Sequence, residues 1–138
     1  MTRRRDQQGW AAVELPLAVG LLLVPIALAV ITLPAWPERQ TLARAAAAEA
    51  SRTLALAPSW DDGSDQARAV VAQAAANHGI DPGDMSVQLT GSLDRGASVT
   101  ARVSVDMPAL VLPGLGTVGR WSWSASHTER VDDFRSVP

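Results

Sequence analysis

Two histidines, a cluster of aspartates and one carboxylate at the head of an apolar stretch are the residues of this sequence with types suited to chemistry. His78 and His127 are the general acid–base candidates. They stand far apart in sequence with no visible partner, and each fits a structural role, His78 near a helix end and His127 in an alternating strand. Asp61, Asp62 and Asp65 offer the oxygen ligands of which calcium takes about six to eight. Their spacing does not match a calcium-binding helix-loop-helix motif, and an acidic turn ahead of a helix is the simpler account. The serines include no glycine-flanked nucleophile turn, and there is no glycine-rich phosphate loop. Cysteine is absent, so no Cys-His cluster can hold zinc. These patterns lead to the expectation of a non-enzymatic protein with no catalytic residue, no metal and no cofactor.

The remaining group is Glu14. It is the one charge between Trp10 and Ala35, a stretch of 26 residues preceded by MTRRRDQQG. As a helix this stretch would span about 39 Å at about 1.5 Å per residue, and a hydrocarbon core of about 30 Å needs only about 20 residues. Three arginines against one aspartate in the leader place the N terminus in the cytoplasm by the positive-inside rule, and the rest of the chain across the membrane.

Three readings of the stretch compete. A secretory signal peptide fits the basic start, but the run is longer than the usual apolar core of about 7–15 residues, and Leu33 spoils a cut after Ala35. A cut after Ala29, within Ala27-Leu28-Ala29, would leave Val30 to Leu33 as an apolar new terminus. A plain single-span anchor needs no role for Glu14, which then sits among headgroups near the cytoplasmic end. The third reading gives Gly9 and Glu14 a task, because Gly9 lies between leader and apolar run and Glu14 follows five residues later.

The run Gln8-Gly9-Trp10-Ala11-Ala12-Val13-Glu14-Leu15-Pro16 resembles the N terminus of the TadE-like family, minor pseudopilins of tight-adherence (Tad) pilus systems. The resemblance implies cleavage after Gly9 by a prepilin peptidase on the cytoplasmic side, Trp10 as the new N terminus, and a role for Glu14 in assembly. It also implies partners among Tad pilus assembly components and other pseudopilins, beside membrane lipid, and a low-copy role in starting or supporting the fibre. Trp10 is a bulky first residue, though an aromatic ring suits a membrane interface. Within an assembly, the freed amino group of a neighbour's Trp10 could neutralise Glu14 where an unpaired charge is penalised. The alternative is a single-span, membrane-anchored extracytoplasmic adaptor or envelope protein unrelated to pili.

The 138 residues suffice for one span and one small domain. With a net charge of −2 and no basic patch, the chain shows no footprint for nucleic acid. One Phe and no Tyr beside five Trp leave a core built largely of Ala, Val and Leu, and no disulfide can staple it.

The remaining elements must position whatever the span carries. Pro16 falls near the helix start, Pro25 should bend the span, and Pro34 and Pro37 bracket Trp36 at the outer interface, either breaking the helix or kinking it. Glu38 to Ala57 is an alanine-rich helix whose Leu42, Ala46, Ala50 and Leu54, flanked by Ala43, Ala47 and Ala57, form a narrow apolar face. That face serves either a covering helix of the domain or packing between subunits. Ser59 to Gly63 reads as an acidic loop, and Ser64 as the cap of a second helix over Asp65 to His78 that ends at Gly79. Period-two alternation then predicts strands over Met85–Thr90 and Val99–Met107, paired as a hairpin, and a third over Trp121–Thr128. Trp121 and Trp123 are expected to fill the core. Pro108 to Gly119 reads as a flexible apolar insertion that covers the sheet, dips against the membrane or docks on a partner.

The expected fold class is therefore α+β, with a single N-terminal transmembrane helix, an alanine-rich helical stem, and a small domain of one helix and an antiparallel sheet of about three strands. The expected boundaries are a basic cytoplasmic leader (1–9), the transmembrane helix (10–35), the stem (36–57), the extracytoplasmic domain (58–131) and a flexible tail (132–138).

Overall fold

The computed structural model describes residues 6–134 apart from Pro113, and of residues 6–13 the backbone alone. Most of the leader expected over 1–9 and the end of the tail lie outside the described residues. The element order is α1 (Asp6–Thr32), α2 (Ala35–Leu56), α3 (Trp60–Asn77), a 3-10 turn (Pro82–Asp84), β1 (Met85–Gly91), β2 (Ser98–Leu112) and β3 (Gly116–Arg130). This is the α+β fold read from the sequence: one long apolar helix, further helices and an antiparallel three-stranded sheet in the order β1-β2-β3.

Proline interrupts the long helix without redirecting it into an extended segment. Pro34 lacks an N–H but keeps helical dihedrals, φ −61° and ψ −30°. Leu33 N still donates to Ala29 O at 2.9 Å, and Trp36 N reaches Leu33 O at 3.2 Å, a tightened turn that restarts the helix. Pro37 falls in the first turn of α2, where N–H groups have no intrahelical acceptor. Pro16 and Pro25 lie inside α1.

α2 buries the face its spacing predicts. Leu42, Ala43, Ala46, Ala47, Ala50, Ser51, Leu54 and Ala55 are buried, and most of them pack with Ala67, Val71 and Ala75 of α3 and with Ala101, Val103, Val105 and Met107 of β2. The small side chains thus bring α2 onto the sheet and α3 of the same chain. Leu54 and Ala55 form a second cluster with Val99 and Val131.

α3 starts earlier than expected. Ser59, not Ser64, is the cap: its Oγ accepts from Asp62 N at 3.1 Å and donates to Asp62 Oδ2 at 2.8 Å. Asp61 and Asp62 therefore occupy the first helical turn, where the positive end of the helix favours them. Gly63 reads as a breaker in sequence, yet it is buried in the helix because a Cβ there would stand 2.7 Å from Ala57 Cβ and 2.8 Å from Leu54 Cδ1. It is a close-approach residue between α3 and the end of α2. The helix ends as expected at Gly79, with φ +64°. Gly79 N donates to Ala76 O and Ile80 N to Ala75 O, the paired bonds of a Schellman stop.

The sheet is longer than its alternation suggests. β1 pairs with β2 from Met85↔Val105 to Gly91↔Val99, while β2 and β3 stay in one register from Ser98↔Arg130 to Leu112↔Gly116. Pro108 to Gly119 is consequently not a flexible insertion. It is the far end of the β2–β3 hairpin, and Pro108 is tolerated there because β1 has already stopped opposite Val105 and left that edge of β2 without a ladder. One sheet face lies under the helices. The other is polar, with Thr100 Oγ1 and Thr128 Oγ1 2.8 Å apart, and with Arg102 Nε and Nη2 donating to Ser124 Oγ.

Trp121 and Trp123 divide. Trp123 is half-buried against the main core, with the Arg44 guanidinium 5.1 Å from its ring centroid. Trp121 is 40% exposed and is not core filler. Its ring meets Trp36 edge-on, centroids 5.8 Å apart.

Candidate membrane anchor and assembly site

Among the described residues one helix is long and apolar enough to cross a membrane, and only 6% of its most apolar 18-residue window is buried. That exposure separates it from the core helix of a soluble fold, because Leu15, Leu17, Leu21, Leu22, Val24 and Ile26 face outward with no protein against them. Water would penalise such a continuous apolar cylinder, and lipid would not. By length, composition and exposure α1 is a single-span membrane helix followed by a small folded domain.

The residues singled out by the sequence lie at the start of this helix. Gly9 and Trp10 fall within the first two turns of α1, and Glu14 follows one turn later. The Gly9–Trp10 bond is thus helical, so a peptidase would have to unwind the first turns of α1 to draw it into an extended cleft. Glu14 is exposed, and it makes no ion pair or hydrogen bond with a described side chain. Among the described side chains, then, nothing pairs with this carboxylate, on a helix that carries no other charge from Trp10 onward.

The outer end of the span carries a second set of contacts that sequence reasoning missed. β2 runs past the end of β1, and its free backbone groups meet side chains of the helices. Arg39 Nη1 donates to Asp106 O, Trp36 Nε1 to Pro108 O at 2.9 Å, and Thr32 Oγ1 accepts from Val111 N at 3.1 Å. Thr32 also donates to Leu28 O at 2.8 Å and is buried, 3% exposed. Three side chains on three successive turns therefore satisfy the strand edge that β1 leaves open. The only sequence signal was the presence of polar Thr32 inside an apolar run and of Trp36 beyond it.

The histidines and aspartates are not brought together. His78 Nδ1 lies 3.0 Å from Ala74 O on its own helix, and His127 sits on β3 with Nε2 3.5 Å from Glu129 Oε2. Asp65 pairs with Arg68 at 3.2 Å on an exposed helix face, and among the described residues no group of three or more His, Cys, Asp or Glu is placed to hold a metal ion. No buried side-chain nitrogen or oxygen among them lacks a hydrogen-bond partner. Comparison of the chain with protein-family models, with curated proteins and with solved structures finds no match in any of the three.

Proposed function

We propose that this protein is a single-span, membrane-anchored domain that acts outside the cytoplasm through contact and not through catalysis. The observation that carries it is the contrast between an unburied apolar helix of spanning length and a domain with its own closed core. The basic leader supports an outer-side domain through the positive-inside rule. Fractionation with protease protection tests this: the chain partitions with membranes, and its C-terminal domain is digested from outside in cells whose cytoplasm remains sealed. A domain protected in intact cells, or a chain recovered from the cytosol, overturns the reading.

Within that role, the run Gly9-Trp10-Ala11-Ala12-Val13-Glu14 supports a finer reading, a minor pseudopilin-like component that assists assembly of a Tad-type pilus or related secretion apparatus. Cleavage after Gly9 frees the amino group of Trp10, and Glu14 then pairs with that group on a neighbouring subunit. The mass of the membrane-bound chain decides: a form beginning at Trp10 in cells that carry a prepilin peptidase supports the reading. A chain still beginning at Met1 in the same cells refutes processing and leaves the membrane-anchored adaptor or envelope protein.

A further inference from the structure

The β2–β3 hairpin runs back toward the membrane-spanning helix. Its contacts run down α2 and into α1 as the residue number along the strand rises: Asp106 meets Arg39, Pro108 meets Trp36, and Val111 meets Thr32. The strand is therefore antiparallel to the helices, and its turn lies below Val111 alongside the span. β2 continues one residue beyond Val111, to Leu112, about 3.3 Å of strand, and the turn follows at once, with Leu115 N donating to Leu112 O at 3.1 Å. Between 21 and 31 Leu28 alone is half-buried, one helical turn below Thr32 on the side where the hairpin descends.

The end of the hairpin is apolar where a water-facing turn would be polar. Leu115 is 83% exposed and Val118 is 52% exposed, with half-buried Leu110, Val111 and Leu112 behind them. The nearest charged side chain on β3 is Arg120, opposite Pro108, where it pairs with Asp84 at 3.0 Å. Trp36 and Trp121 stack edge-on at this level, where tryptophan is favoured between headgroups and acyl chains. The apolar tip thus comes first and the aromatic pair and the ion pair follow together at the level of Met107 and Pro108, a passage from apolar to polar such as a bilayer makes from hydrocarbon to its interface.

We propose that the hairpin tip, through Leu115 and Val118, is a second membrane contact that enters the outer-leaflet interface beside α1. The proposal rests on α1 spanning the bilayer. Lipid is the occupant because the tip is tied to the span by the Thr32–Val111 and Trp36–Pro108 bonds, so placing α1 in a membrane places Leu115 at its surface. The depth is limited to the interfacial zone, because strand edges deeper in hydrocarbon would leave backbone groups without partners. The helix side chains answer that cost for Asp106, Pro108 and Val111 only.

The chain has no cysteine, so single-cysteine probes need no background removal. Leu115→Cys, Val24→Cys and Arg95→Cys in the full chain are labelled with an environment-sensitive fluorophore and reconstituted into phosphatidylcholine and phosphatidylglycerol vesicles. Lipids brominated near the top of the acyl chain are then added. The expected result is at least two-fold quenching at 115, quenching at 24 by lipid brominated deeper in the chain, and none at 95, in the β1–β2 loop at the opposite end of β2. A label at 115 that behaves like 95 while 24 is quenched overturns the tip contact and leaves the span intact. Absence of quenching at 24 overturns both. Shielding of 115 from aqueous iodide that requires added envelope protein, with no quenching by lipid, assigns the tip to a protein partner and also overturns the proposal.

Discussion

Replacing Thr32 by valine isolates the bond that joins the domain to its span. The two side chains have nearly the same shape, and both are β-branched, so helix packing changes little. What is lost is Oγ1, which accepts from Val111 N at 3.1 Å. The hydroxyl's own bond to Leu28 O costs little to remove, since that carbonyl lies inside α1 and keeps the helix ladder. Val111 N is different: its acceptor Thr32 is 3% exposed, and no β1 residue lies opposite Val111. A buried donor left without a partner costs about 1–3 kcal/mol. If that cost is borne by opening of the hairpin end, the Val111 amide exchanges about 5- to 150-fold faster. Hydrogen exchange on the full chain in nanodiscs measures it, with amides of Ala101 and Val103 as internal controls for global unfolding. Thr32→Ser, which keeps the hydroxyl, should exchange close to the parent. Unchanged protection at Val111 in Thr32→Val would refute the idea that this bond holds the hairpin to the helix.

Further outcomes are expected elsewhere. Glu14→Ala should insert into membranes as the parent does yet fail to co-purify with partner subunits; retained co-purification removes the assembly role from Glu14. Leu54→Ala, at a fully buried side chain, should destabilise the domain by about 3–5 kcal/mol, read from denaturant midpoints, because the alanine-rich surroundings have few long side chains to fill the void. Gly63→Ala should destabilise as well, by about 1–2 kcal/mol: overpacking against Ala57 Cβ at 2.7 Å outweighs the helix preference of alanine. Adding Ala57→Gly should recover part of that loss in a double-mutant cycle.

The apolar face of α2 was legible because burial and helical period coincide: Leu42, Ala46, Ala50 and Leu54 each return to the sheet side every fourth residue. The β1–β2 hairpin was legible for the same reason at period two. Gly63 misled because a glycine needed for close approach inside a helix looks, in sequence, like a glycine of a loop. Pro108 misled because its missing N–H breaks a sheet only where a neighbouring strand needs that donor, and strand neighbours are set by where β1 ends. Trp121 was placed in the core by alternation and by the shortage of other large side chains, yet it stands 40% exposed with its ring edge-on to Trp36. The site divides similarly. Gly9, Trp10 and Glu14 are adjacent along the chain and readable there, whereas Thr32 and Val111 are joined only by the return of the hairpin across 79 positions.

The bonds of Thr32, Trp36 and Arg39 straddle Leu33 and Pro34, the point where the long helix would otherwise be free to swivel. Torque or axial load on the buried segment is thereby delivered to the β-structure instead of being absorbed at a hinge. A machine that rotated or lifted this protein by its hydrophobic shaft would move the head with it, as one lever.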